Sequence, residues 1–346
     1  DGIYYENVLV TKTLTIRSEN GSANCIVDGN RNGSVFTLYA DGIKIKGFTI
    51  RNSSKLGIEV NSDYNIISDN NISNNYYGIY LYSSSNNFIA NNNVSNNDYG
   101  IYLDDSSSNN TITNNTISNK WHGIYLDSSN NTIANNTVLN NCYGIYLYDS
   151  SNNIIANNNA SDNDFGIHLS SSDNNTIENN TVSNNWAGIY LDFSSNNTIA
   201  NNTFLLNGMF VHGSCNNKVT NNTVNGKPLV YIENVNDYVV EDAGQVIAVN
   251  SKNITVENLN ISYATVGVEF WNTSNSKIIN NNVSSNNYYG IDLRFSSNNI
   301  IANNTVSNNR DGIWLDYSSN NTIANNTVSN NRDGISLYKS SNNNTI

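Results

Sequence analysis

The chain has 346 residues, a net charge of −12, only 13% charged residues, one proline and three cysteines. So few cations exclude a basic stripe for nucleic acid or for anionic lipid, and no apolar run is long enough to insert in a membrane as a helix. Abundant Asn, Ser and Thr suggest disorder by composition, but Ile, Val, Leu and Tyr recur with a strict period, and periodicity overrules composition.

Residues 1–56 read as irregular N-terminal coils that open on strand-like Ile3-Tyr4-Tyr5. The abrupt start at Asp1 reads as a mature or trimmed fragment. Regular Asn-rich repeats then fill 57–225, marked by Gly57, Gly78, Gly100, Gly123, Gly144, Gly166 and Gly188 at a spacing of about 22 residues. A complete unit runs Gly123-Ile124-Tyr125-Leu126, a Ser/Asn turn, Thr132-Ile133-Ala134, an Asn pair, then Thr137-Val138-Leu139. Each unit therefore holds three short strands. Alternation turns Ile124 and Leu126 to one face and Tyr125 to the other. Strands this short cannot stand alone, so coil must stack on coil, with Ile79, Ile101, Ile124, Ile145 and Ile167 as one inner column and Leu81, Leu103, Leu126, Leu147 and Leu169 as another. No apolar pattern of helical period occurs.

The same parity turns Asn115 inward and Asn114 outward. It predicts an internal amide ladder of Asn70, Asn92, Asn115, Asn136, Asn158, Asn180, Asn202 and Asn222. The rhythm breaks over 226–246, where Gly226-Lys227-Pro228 marks a departing turn and an elongated coil or flap follows. Regular repeats resume over 247–346 with Gly267, Gly290, Gly312 and Gly334, and the final coil stops after its second strand without a polar cap. The expectation is an all-β, right-handed parallel β-helix, a single solenoid domain over 1–346 of about 15 coils. Cys25, Cys142 and Cys215 lie several coils apart, and a rise of ~4.8 Å per coil keeps them out of disulfide reach, as three free thiols.

The opening Gly2-Ile3-Tyr4-Tyr5-Glu6-Asn7-Val8-Leu9-Val10, the segment Ala40-Asp41-Gly42-Ile43-Lys44-Ile45-Lys46-Gly47-Phe48-Thr49-Ile50 and the Gly226-Lys227-Pro228-Leu229-Val230-Tyr231 break resemble three groups of right-handed β-helix repeat proteins. These are the pectate-lyase-like proteins, the copper-assembly NosD family and, most closely, archaeal cell-surface proteins. The resemblance covers essentially the whole chain and implies the fold. This fold hosts lyases, hydrolases, epimerases, adhesins and scaffolds, so function has to be argued from the site.

The first strands carry an outward column of Tyr80, Tyr102, Tyr125, Tyr146, His168 and Tyr190. Tyr77, Tyr99, His122, Tyr143 and Phe165 precede the glycines, with Trp121 and Trp186 beside them. Such a ladder either stacks on itself to stabilise the sheet or offers rings to sugars, with Asp104 and Asp127 binding hydroxyls. Asp104 and Asp127 fall one coil apart and form a calcium candidate, since stacked carboxylates repel unless a cation relieves them. No other cofactor is expected. Arg310-Asp311 and Arg332-Asp333, with Arg294 and Asp292 nearby, are the repeated charged constellation, which inter-coil salt bridging explains without catalysis. One methionine, three histidines and three cysteines supply few soft ligands for copper. Sequons recur at Asn71, Asn93, Asn114, Asn135, Asn179, Asn201 and Asn303, all on the outward side by parity, as glycosylation candidates.

Together these features predict an extracellular or cell-surface structural or adhesive module, with polysaccharide or other surface proteins as partners. The rivals are a self-assembling subunit that stacks end to end into a layer or filament, and a polysaccharide lyase, hydrolase or epimerase. For the module, no catalytic residues are expected.

Overall fold

The computed structural model describes residues 1–104 and 106–346. It is an all-β, right-handed parallel solenoid of about 15 turns of about 22 residues, with three strands per turn. Two compact units divide the chain, Asp1–Thr181 and Val182–Ile346.

In the first unit the expected columns form. Strand Tyr99–Asp104 pairs with His122–Leu126 so that Ile101 faces Ile124 and Leu103 faces Leu126. In the same turns Ile112 pairs with Ile133 and Ile117 with Val138. Ile124, Leu126, Ile133 and Val138 are all wholly buried. Burying a side chain of this size contributes roughly 1.5–3 kcal/mol, repeated at every turn. The marker glycine is required by a close approach: a Cβ on Gly100 would lie 2.3 Å from the Gly123 carbonyl oxygen and 2.5 Å from Asn119 Nδ2.

The amide ladder exists, and it has two companions. Asn136 donates to Asn158 Oδ1 from its backbone N–H at 2.9 Å and from Nδ2 at 3.1 Å, while Asn158 Nδ2 also donates to the Ile133 carbonyl at 2.9 Å. Parallel ladders run through Asn131, Asn153 and Asn175 before the second strand and through Asn97, Asn119 and Asn141 after the third. The first asparagine of each pair has its own role. Asn114, Asn135 and Asn179 lie in the left-handed region at φ 55, 58 and 56. Asn adopts that region at little cost, whereas other L-residues meet Cβ strain there. An Asn-Asn pair therefore turns the chain with its first residue and seals the corner with its second.

The second unit begins with the same repeat and then departs from it. Strands Ala187–Asp192 and Met209–His212 pair in parallel, Ile189 opposite Met209 and Leu191 opposite Val211. The chain then reverses, and Lys227–Glu233 runs antiparallel to Thr223–Val224. The same strand pairs in parallel with Gln245–Val249, and Asn236–Val240 pairs with Lys252–Glu257. Parallel turns continue through Val266–Trp271, Tyr289–Arg294, Asp311–Asp316 and Asp333–Tyr338.

Side chains of the later turns meet the edge of Met209–His212. Thr265 Oγ1 accepts from Gly208 N–H at 2.9 Å, and Gln245 receives Met209 N–H at 2.8 Å and donates to the Met209 carbonyl at 2.6 Å. Both Glu269 carboxyl oxygens take Val211 N–H, at 3.2 and 3.3 Å. Glu233 likewise accepts the backbone N–H groups of Asn216 and Asn217. An exposed strand edge is a template for unwanted pairing, and here polar side chains occupy its donors and acceptors.

Candidate functional site

On the first unit the two aromatic columns pack into one slab. Tyr102 and Tyr125 stack at 4.1 Å and 13°, Tyr77 and Tyr99 at 4.8 Å, and Tyr146 and His168 at 4.8 Å. Tyr125 and His168 are buried, whereas Tyr80, Tyr102 and Tyr146 are half-buried. Burial pushes Tyr77 and Tyr125 up to about 12, and burial together with the Asp104 hydrogen bond raises Tyr80. Face-to-face stacking covers ring faces within the column and leaves edges and hydroxyls for an external partner. Trp121 is exposed, with Lys120 Nζ 5.3 Å from its ring centre.

Beside this slab lies an open trough of about 390 Å³ lined by Asp104, Asp127 and Asp149 with Ser106, Ser108, Ser128 and Ser129. The Tyr80 hydroxyl donates to Asp104 Oδ2 at 2.6 Å, tying the column to the carboxylate row. Asp104 and Asp127 thus come together as the sequence places them, with Asp149 extending the row by one turn. The lining is all carboxylate and hydroxyl, a surface suited to a polyhydroxylated ligand. Among the described residues no three His, Cys, Asp or Glu side chains converge in a way that could hold a metal ion.

Tyr190 and Trp186 belong to the second unit. Tyr190 stacks on Phe210 at 5.1 Å, and Trp186 meets Tyr288 edge to face at 4.6 Å. Here the sequence singled out Asp292 and Arg294 but missed Glu269 and the burial of the cluster they form in the outward slot of the first strand. Glu269 and Asp292 are wholly buried and adjacent in register. Arg294 Nε donates to Asp292 Oδ2 at 2.9 Å, its guanidinium lies 5.2 Å from the Phe210 ring, and Nη1 is 3.4 Å from His212 Nδ1. Asp292 Oδ1 has no hydrogen-bond partner. Burial raises Glu269 well above the usual carboxyl range, with Asp292 adding to the effect, and burial lifts Asp292 to about 6. Glu269, Asp292 and Arg294 are buried, and their contacts join neighbouring strands. The sequence did carry one signal for this region, since Gln245 is the sole glutamine.

The constellation near the end forms one ion pair between turns, Arg332 to Asp311 at 3.8 Å, and two between sequence neighbours, Arg332 to Asp333 at 3.1 Å and Arg310 to Asp311 at 3.8 Å. Of the sequon asparagines, Asn93, Asn114, Asn135, Asn179, Asn201 and Asn303 are exposed and Asn71 is half-exposed. Cys25, Cys142 and Cys215 are free thiols.

Stacked turns, amide ladders and a decorated outer face define a right-handed β-helix repeat protein. The family model "Right handed beta helix region" matches residues 15–160 and 232–346, most of the chain, and the chain belongs to that family. The model "Periplasmic copper-binding protein (NosD)" matches residues 105–238. No curated protein matches the sequence. Among solved structures, the chain is similar to DFA-IIIase from Arthrobacter chlorophenolicus A6 at 12% identity, covering 81% of each chain with a TM-score of 0.45. It is similar to the A-module of the mannuronan C-5 epimerase AlgE4 from Azotobacter vinelandii at 15% identity, covering 97% of this chain and 90% of that one, TM-score 0.37. Tailspike protein 2 of Escherichia coli O157:H7 bacteriophage CAB120 is 14% identical over 64% of this chain and 38% of its own, TM-score 0.40.

The residues present do not fit a copper site. His122 and His168 are stacked on tyrosine rings within the aromatic slab, and among the described residues no three His, Cys, Asp or Glu side chains gather around either. Burial and the neighbouring Asp164 push the Cys142 thiol up to about 11, which disfavours the ligating thiolate. Met209 is wholly buried in the core.

Proposed function

We propose that this protein is an exported, surface-exposed β-helix that serves as a structural and adhesive module and holds polysaccharide along the first unit. The observation that supports this most is the trough of Asp104, Asp127 and Asp149 faced by serines and flanked by tyrosine edges. A carboxylate row at the coil spacing accepts hydrogen bonds from successive sugar hydroxyls, and serines can both donate and accept. Among the described residues the trough is lined by carboxylates and hydroxyls without an Arg, Lys or His beside them, which favours holding over cleavage. Sequon asparagines at left-handed turns are presented clear of the strands, and export would make them glycosylation acceptors.

The test is retention of the full chain on a panel of immobilised polysaccharides. Binding to at least one of them, with no fall in its chain length over time, is the expected result. Failure to bind any, or steady depolymerisation, overturns the reading. Intact mass from the native host above that of the bare chain checks the glycosylation.

A further inference from the structure

In the second unit a cleft of about 490 Å³ is lined by Asn184, Asn185, Trp186, Leu206, Tyr263 and Asn287. Two of these residues depart from the pattern at their own corner of the turns, although Tyr64, Phe193, Phe295 and Tyr317 are also left-handed at other corners. The corner after the third strand is left-handed in turn after turn and is held by Asn74, Asn96, Asn140, Asp162, Asn184, Ser285, Asn308 and Asn330. At the same corner Leu206 has φ 57 and Tyr263 has φ 56. Large side chains are strained in that conformation, and such strain persists where the surroundings hold it and something other than stability selects it.

Neither side chain recovers the cost by packing, since Leu206 is 49% and Tyr263 is 52% exposed. The surroundings do hold the backbone. Asn225 Oδ1 accepts from Leu206 N–H at 2.8 Å, and its Nδ2 donates to the Tyr263 carbonyl at 3.0 Å, so one side chain clamps both corners. Asn287 Nδ2 donates to the carbonyls of Asn185, Trp186 and Leu206 at 2.9, 3.1 and 3.2 Å.

We infer that this cleft is a binding site for a short stretch of neutral glycan, separate from the trough of the first unit. An indole, a phenol and an isobutyl group supply apolar surface for the C–H face of a pyranose ring, and the exposed Asn184 amide, with Asn287 Oδ1 as an acceptor, lines the same space for hydroxyls. No charged residue lines the cleft, so it has nothing to pair with a uronic acid or a sulfated sugar. Its volume lies in the range of small-ligand sites.

The test titrates the full chain with neutral trisaccharides of glucose, mannose and galactose and with a uronic acid trisaccharide, read by tryptophan fluorescence and saturation-transfer NMR. Leu206→Asn and Tyr263→Asn restore the residue that most of the other corners use. The expected result is saturable binding of a neutral trisaccharide, weakened at least tenfold in the double variant, whose melting temperature equals or exceeds that of the parent. Absence of neutral binding, equal binding of the uronic acid, unchanged affinity in the double variant or a lower melting temperature each overturns the assignment. Asp104→Asn/Asp127→Asn serves as control and retains trisaccharide binding, so failure of the trough is seen apart from failure of the cleft.

Discussion

The outward slot of the first strand is filled in opposite ways in the two units. On the first unit the slot holds Tyr80, Tyr102 and Tyr125 stacked ring on ring, with Tyr146 edge-on to Tyr125, beside an open carboxylate row. On the later turns of the second unit it holds Ile247, Glu269, Asp292, Trp314 and Ser336, and its charges are buried against Phe210, Val211 and His212. Inward slots in both units carry the same Ile, Val and Leu. The repeat thus fixes what faces the core and leaves the outer slot free, in one place for a surface and in the other for a seam between turns.

The strongest way to break that contrast is to disarm the seam. Arg294→Met leaves Asp292 unpaired in the interior and should cost about 3–5 kcal/mol in chemical denaturation. The matching change on the first unit, Tyr146→Phe, should cost less than about 1 kcal/mol, because the stacked ring stays in place. Equal losses would show that the two slots do the same job.

Next in size is a dependence on pH. Glu269 and Asp292 are held above their unfolded values, so the folded chain keeps protons that the unfolded chain has released. Their contribution is complete below about pH 4 and falls as pH climbs through about 6 for Asp292 and further for Glu269. The slope is at most about 1.4 kcal/mol per pH unit for each group. Glu269→Gln keeps an acceptor for Val211 N–H and should flatten the alkaline part of that decline. A parallel curve for parent and variant between pH 6 and 9 would refute the buried-acid account.

Smaller effects sharpen the common frame. Asn136→Ala removes one ladder rung and leaves buried backbone groups without partners, a loss of about 1–3 kcal/mol by thermal or chemical melting. Asn114→Ala changes only an exposed left-handed corner and should cost about 1–2 kcal/mol from backbone strain. An unchanged melting point for Asn136→Ala would remove the ladder from the list of stabilising features.

The inner half of this structure was legible in the sequence. Ile124, Leu126, Ile133 and Val138 repeat because each must meet its copy one turn away, and period alone reveals that. The ladder through Asn136 followed from strand parity. Parity says nothing of φ, so the left-handed role of Asn114 and the two flanking ladders stayed out of sight. Outward positions were harder still. Whether Glu269 is hydrated or buried depends on Val211, 58 residues earlier in the chain, and no local pattern reports such a contact. The 226–246 break signalled a departure but not its consequence, a strand edge finished by Thr265, Gln245 and Glu269.

The central claim is that the first unit's outer face holds polysaccharide while its inner face only builds the solenoid. Affinity electrophoresis of the full chain through gels containing whichever polysaccharide retains it, parent against Asp104→Asn/Asp127→Asn, tests this most directly. The account predicts that the double variant migrates at least tenfold less retarded at an unchanged melting temperature. Undiminished retardation of a fully folded double variant would contradict it.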